Sequence, residues 1–251
     1  MEWSPDIIHI GAFTLNLGTA ALIVALTFCG ALIQGTMGFG FAVVTAPFLY
    51  AINPAFVPIP LIITFLPLSS VMISKYREGL NKSITSTLII GRIPGTFLGA
   101  FLLTVASHQS LSLMLGTMVL ASVMLSITKL SIRANHGSLL VAGFASGVTA
   151  TAASIGGPPL AIVMQNESGT SVRANLACVN MICNIVSLVI LYFYGQLKLE
   201  HFILAILILP GVFIGLTVAQ HVVKHMNPES LKPAVLLLCF ISGSTAIFNS
   251  F

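Results

Sequence analysis

Residues 30–41 read Gly30-Ala-Leu-Ile-Gln34-Gly35-Thr-Met-Gly38-Phe39-Gly40-Phe41, and residues 147–159 read Gly147-Val-Thr-Ala-Thr-Ala-Ala-Ser154-Ile-Gly156-Gly157-Pro158-Pro159. Gly35 stands as far before Pro47 as Gly147 stands before Pro159. Each run interrupts a long apolar stretch with glycine and small polar residues. Backbone opened in this way is tolerated at membrane depth only inside protein or beside a cavity. A pair of such breaks at matching places in two halves of a chain points to the substrate site of a carrier.

The rest of the composition agrees with a membrane setting. Of 251 residues 57% are hydrophobic and only 6% charged, with a mean hydropathy of +1.04. A soluble domain carries roughly a quarter charged residues. The apolar stretches run for about 20 residues without the period-2 alternation of barrel strands, so they read as helices. Met1-Glu2-Trp3-Ser4-Pro5-Asp6 is acidic and lacks a basic n-region, which argues against a cleaved signal peptide. The formal net charge of +4 comes mostly from short loops, where topology alone places basic residues. It implies no nucleic-acid partner. Cys29, Cys178, Cys183 and Cys239 lie in apolar stretches without metal-ligand spacing and read as packing residues.

Hydropathy and breakers together give ten segments, at 13–34, 41–52, 55–74, 83–106 and 110–129, then 137–150, 157–166, 173–194, 200–221 and 231–249. The second segment of each half is too short to span, because about 12 residues cover only ~18 Å of a ~30 Å hydrocarbon core. Each break therefore reads as a hairpin that dips in and returns, followed by three full crossings. A second duplicated block supports this. Gly79, Lys82 and Pro94-Gly95-x-x-x-Gly99 repeat with the same steps as Gly195, Lys198 and Pro210-Gly211-x-x-x-Gly215. The expected fold is an all-α integral membrane protein of about eight membrane elements, built from repeats at 1–133 and 134–251.

Charge orients it. With the acidic N-terminus outside, Lys75, Arg77, Lys82, Lys129, Arg133, Arg173, Lys224 and Lys232 face the cytoplasm, and Lys198 faces out. Both termini are then external. A hairpin plus three crossings makes an odd traverse, so the two repeats are expected in inverted topology, as in alternating-access carriers.

The candidate site follows from depth and chemistry. Helices restart at Gly40-Phe41 and at Gly157-Pro158, and a helix N-terminus offers free N–H groups and partial positive charge to an anion. Simple close packing of small residues is the competing explanation for the glycines. Arg92 lies about 15 Å into its helix from Lys82, near the bilayer centre, where an arginine faces a bundle interior or a cavity. Anion binding and a structural pairing with backbone carbonyls both suit it; its repeat counterpart is Ile208. Arg173, Asn180 and Asn184 share a helix face, with Ser187 nearby, and need partners from other helices or from substrate. Gln34 and Ser154, just before the breaks, are candidate donors to an oxyanion. Thr36, Thr149 and Thr151 are weaker ones, since threonine often bonds its own helix backbone.

Several classes are disfavoured. No buried carboxylate pair suggests a proton or Na⁺ relay, and only Glu167 lies near a hairpin. The six histidines form no cluster of three, and His221 and His225 lack a third ligand. No metal, cofactor or catalytic constellation is implied, which speaks against a membrane enzyme.

Gln34-Gly35-x-x-Gly38-Phe39-Gly40-x-Ala42 ending in Pro47 resembles the first-repeat signature of the sulfite exporter TauE/SafE family. Gly156-Gly157-Pro158-Pro159-Leu160 resembles its second-repeat signature, and the Pro-Gly-x-x-x-Gly blocks also fit. The resemblance implies a bacterial inner-membrane carrier of sulfite, sulfoacetate or related organosulfonates. The residues alone imply only a small anion held near the midplane. The expectation is thus export of a sulfur-containing oxyanion, with Gln34, Gly35, Gly38, Phe39, Gly40, Phe41, Arg92, Ser154, Gly156, Gly157, Pro158, Asn180 and Asn184 at the substrate site. The alternative is an uptake carrier or channel for another small organic anion.

Overall fold

The structure, a computed structural model, describes residues 7–10, 13–127 and 132–225, with isolated positions beyond 236. Among the described residues two short strands, β1 (Ile7–Ile10) and β2 (Phe13–Asn16), pair antiparallel before nine helices. The helices are α1 (Leu17–Met37), α2 (Phe41–Ile52), α3 (Ile59–Tyr76), α4 (Lys82–Val105), α5 (His108–Ile127), α6 (His136–Ala153), α7 (Gly157–Val163), α8 (Gly169–Phe193) and α9 (Leu199–His225). Among the described residues five helical stretches are long and apolar enough to cross a membrane, at Leu17–Met37, Pro54–Gly79, Lys82–Val105, Gly169–Phe193 and Leu199–Val222.

Nine of the ten expected segments are helices; the tenth, 231–249, lies largely outside the described residues. The first begins later than its hydropathy suggests. Residues 13–16 are extended in β2, and the Asn16 side chain accepts from Thr19 N at 2.7 Å, which starts the helix at Leu17. Helix α7 is shorter than the expected 157–166, spanning 7 residues.

Three long contacts organise the bundle: α4 with α6, α1 with α9, and α3 with α8. The first two rest on glycine. A Cβ on Gly91, Gly95 or Gly99 of α4 would overlap the carbonyl oxygens of Leu140, Phe144 and Val148 on α6. In return, a Cβ on Gly143 of α6 would stand 2.5 Å from Leu88 O. Gly211 and Gly215 of α9 sit on the α1 backbone in the same way, the second with Phe28 O at 2.5 Å. Absent side chains let two backbones approach where no water-driven force would press helices together. The duplicated Pro-Gly-x-x-x-Gly blocks are therefore packing seats. The seam of α3 with α8 is different, since α3 has no glycine and α8 has one only at its first residue, Gly169.

Candidate functional site

The first break is built by glycine and one amide. Gly38 and Gly40 take φ of 92° and 115°, left-handed values that favour glycine, so α1 stops and α2 restarts at once. Gln34 Nε2 donates to Gly38 O at 2.8 Å, while its Oε1 accepts from Phe41 N at 3.1 Å. One side chain thus satisfies groups on both sides of the break. Gln34 is committed in part to the backbone, with its Oε1 and one N–H engaged and the second N–H of Nε2 left over on a residue that lines the cavity described below. Arg173 Nε donates to Thr36 O at 2.9 Å, Nη2 shares that acceptor, and the Tyr76 ring lies 5.3 Å from the guanidinium carbon. Arg173 is therefore a buried helix residue that caps the end of α1 rather than a solvated loop charge.

At the second break Ser154 takes a φ of 64°, uncommon for a residue with a side chain. Ser154 N and Ile155 N donate back to Ala150 O and Thr149 O, closing the end of α6. The Ser154 hydroxyl donates to Pro58 O at 2.8 Å, so its proton too is engaged. The second tip offers fewer amide donors than the first. Pro158 and Pro159 occupy the first turn of the 7-residue α7, and neither carries an N–H. Helix α2 keeps the first-turn amides of Ala42 and Val43, and both residues line the cavity described next.

The two breaks meet. A Cβ on Gly157 would lie 3.0 Å from Phe39 Cβ. Between them and α3, α4 and α8 is a small cavity. The first break contributes Gln34, Phe39 and Gly40 to its wall, and the second Ser154, Gly156 and Gly157. Arg92 reaches it from α4, and Asn180 and Asn184 from α8. Four expected site residues do not line it. Gly35 packs on Ala219 of α9, Gly38 lies on Arg173, and Phe41 sets its ring edge-on to Phe65 at 5.3 Å between centroids. Pro158 is buried in the first turn of α7.

Arg92 is 1% exposed. Its Nη1 donates to Asn180 Oδ1 at 2.6 Å and its Nη2 to Asn184 Oδ1 at 3.1 Å. Its partners are side-chain amides and not the backbone carbonyls weighed from sequence, and the asparagine stripe finds its partner on another helix. A guanidinium only donates, so both amides must turn Oδ1 towards it. That leaves their Nδ2 groups as donors without a partner among the described residues. Arg92 Nε is buried with no partner. Among the described residues no carboxylate lines the cavity to neutralise this charge.

Other polar residues are satisfied locally. Thr36 and Thr149 bond carbonyls of their own helices, and Thr151 pairs with Ser187 at 3.0 Å. Asn175, not singled out from sequence, is fully buried and accepts from Asn81 N at 2.9 Å and Thr85 Oγ1 at 2.6 Å. Its only signal was an asparagine inside an apolar helix. Among the described residues no three His, Cys, Asp or Glu side chains group as a metal site.

No curated protein and no solved structure shows significant similarity to the chain. The family described as Sulfite exporter TauE/SafE matches residues 22–246. The chain therefore belongs to the sulfite exporter TauE/SafE family.

Proposed function

We propose that this protein is a bacterial inner-membrane carrier that exports a small sulfur-containing oxyanion, sulfite or an organosulfonate, held beside Arg92. The observation that carries the reading is a buried guanidinium on a cavity wall without a counter-carboxylate and with one N–H unpartnered. Burying a charge without a partner is costly, and a bound anion would supply the missing partner. The free Nδ2 groups of Asn180 and Asn184 and the first-turn amides of α2 add donors suited to oxyanion oxygens. Family membership supplies the sulfur chemistry.

Alternating access between inverted repeats is our mechanism. In the duplication, α1 corresponds to α6 and α4 to α9, so the contacts α1–α9 and α6–α4 are equivalent, and α3–α8 maps onto itself. A two-fold relation between repeats would produce that pattern. We read the basic loops as cytoplasmic, which would put both termini in the periplasm.

The test uses purified protein in detergent and in liposomes. Sulfite and methanesulfonate should raise the melting temperature, since a ligand that binds only the native state stabilises it. Arg92→Ile should abolish that rise, and Arg92→Lys should keep part of it, because a cation remains while the two-pronged geometry is lost. In liposomes the flux should saturate and show counterflow, as a carrier does and a channel does not. A folded Arg92→Ile protein that sulfite stabilises as fully as the parent would overturn the assignment.

A further inference from the structure

Among the described residues, two sealed side-chain polar atoms lack a hydrogen-bond partner: Arg92 Nε and Ser69 Oγ. The first belongs to the cavity above. The second lies in the middle of α3, fully buried, in a helix whose other buried hydroxyl, Thr64, bonds the carbonyl four residues back at 2.7 Å. Such a back-bond is the ordinary resting place for a serine in an apolar helix, and Ser69 does not take it.

Its position on the helix is informative. At about 100° per residue, Ile62, Phe65, Ser69, Met72 and Tyr76 share one face within an arc of about 80°. Ile62 and Phe65 line the Arg92 cavity. Met72 and Tyr76 line a second, smaller cavity, together with Val71 and Lys75 of the adjoining face and with Gly35, Leu216 and Gln220. Consecutive residues of α1, Gln34 and Gly35, likewise line the first and the second. Ser69 sits on the shared face between the two spaces. The edge-on pair of Phe41 and Phe65 lies beside the cavity end of that face.

We infer that this face of α3 is the wall of the anion's route between the Arg92 cavity and the Lys75 end of the helix, and that the Ser69 hydroxyl is a transit contact donating to the passing oxyanion. The inference rests on the reading of the Arg92 cavity as an anion site. An unpartnered hydroxyl is unfavourable in a state that never uses it. It is explained if another state of the transport cycle brings an oxygen of the solute against it.

Ser69→Ala removes the hydroxyl and keeps the volume. The expected result, in full-length protein in liposomes, is methanesulfonate transport about tenfold slower, the loss of one hydrogen bond to a charged group. The melting-temperature rise given by methanesulfonate should be unchanged, because the Arg92 cavity is intact. Parental transport rates in Ser69→Ala would overturn the inference. A second measurement uses Ser69→Cys in a background whose four native cysteines are replaced by alanine and which still transports. Sulfonatoethyl methanethiosulfonate should modify it, and saturating methanesulfonate should slow the modification. A transporting Ser69→Cys protein that the reagent does not modify would also overturn it. Failure of the cavity reading shows separately, as an Arg92→Ile protein that keeps its anion-dependent stabilisation.

Discussion

Gly143→Ala tests whether the α4–α6 contact fixes Arg92 in place. The new methyl carbon would lie 2.5 Å from Leu88 O and 3.1 Å from Arg92 N, both backbone atoms of α4. Ordinary carbon–oxygen contacts begin near ~3.3 Å, so the helices must part by about 0.8 Å. No rotamer change can relieve a clash with backbone. Overpacking of this kind costs about 1–3 kcal/mol, against which alanine recovers up to ~1 kcal/mol of helix propensity. Gly137→Ala, near the start of the same helix, is the control, because its Cβ would meet only Asn135 Oδ1 at 3.4 Å. At ~2–4 °C per kcal/mol for a chain of this size, the two variants should differ by roughly 2–12 °C in melting temperature. A displacement of that size carried by α4 would also stretch the 3.1 Å contact of Arg92 Nη2 with Asn184 Oδ1 beyond hydrogen-bond range. Sulfite-dependent stabilisation should therefore weaken in Gly143→Ala and not in Gly137→Ala. The assay is thermal unfolding of purified protein with and without sulfite. Equal melting temperatures and equal sulfite shifts in the two variants would refute the reasoning.

Two further predictions concern topology and the buried polar network. Single cysteines at Glu2 and Glu78 in a cysteine-free background, exposed to an impermeant reagent from the periplasmic side, should label at Glu2 alone; equal labelling would sink the orientation and the odd traverse per repeat. Asn175→Ala strips the acceptor from Asn81 N and Thr85 Oγ1, and at about 0.6–1.7 kcal/mol per interhelical bond in a membrane it should lower the melting temperature while leaving the sulfite shift in place.

The sequence was informative where backbone chemistry is restrictive. Gly38 and Gly40 announced a break because left-handed backbone favours glycine, and the structure puts both there. Arg92, Asn180 and Asn184 were each singled out by the cost of polar groups at membrane depth, yet their mutual pairing was not legible. Depth along a helix follows from counting residues; which helices are neighbours does not. The glycines of the Pro-Gly-x-x-x-Gly blocks announced duplication, but their role as seats for carbonyls needed the partner helix. The backbone role of Gln34 was not legible, because which groups a side chain next to a break will serve depends on how the broken backbone folds. The strands at 7–10 and 13–16 escaped because residues 13–16 continue smoothly into the apolar run of α1.

Helix pairs that rest backbone on backbone make stiff joints, because no side chain is there to yield. The α4–α6 pair and the α1–α9 pair are in this sense two girders, each carrying one of the broken helices. Within the α3–α8 seam no helix-interior glycine seats one backbone on the other; beyond the end of α3, Gly79 meets the backbone of Thr170. That seam borders the Arg92 cavity, which Asn180 and Asn184 of α8 and Phe65 of α3 line. Bulk added within a girder should therefore spoil the alignment of the whole machine, whereas bulk added along the seam should change how far and how fast it flexes.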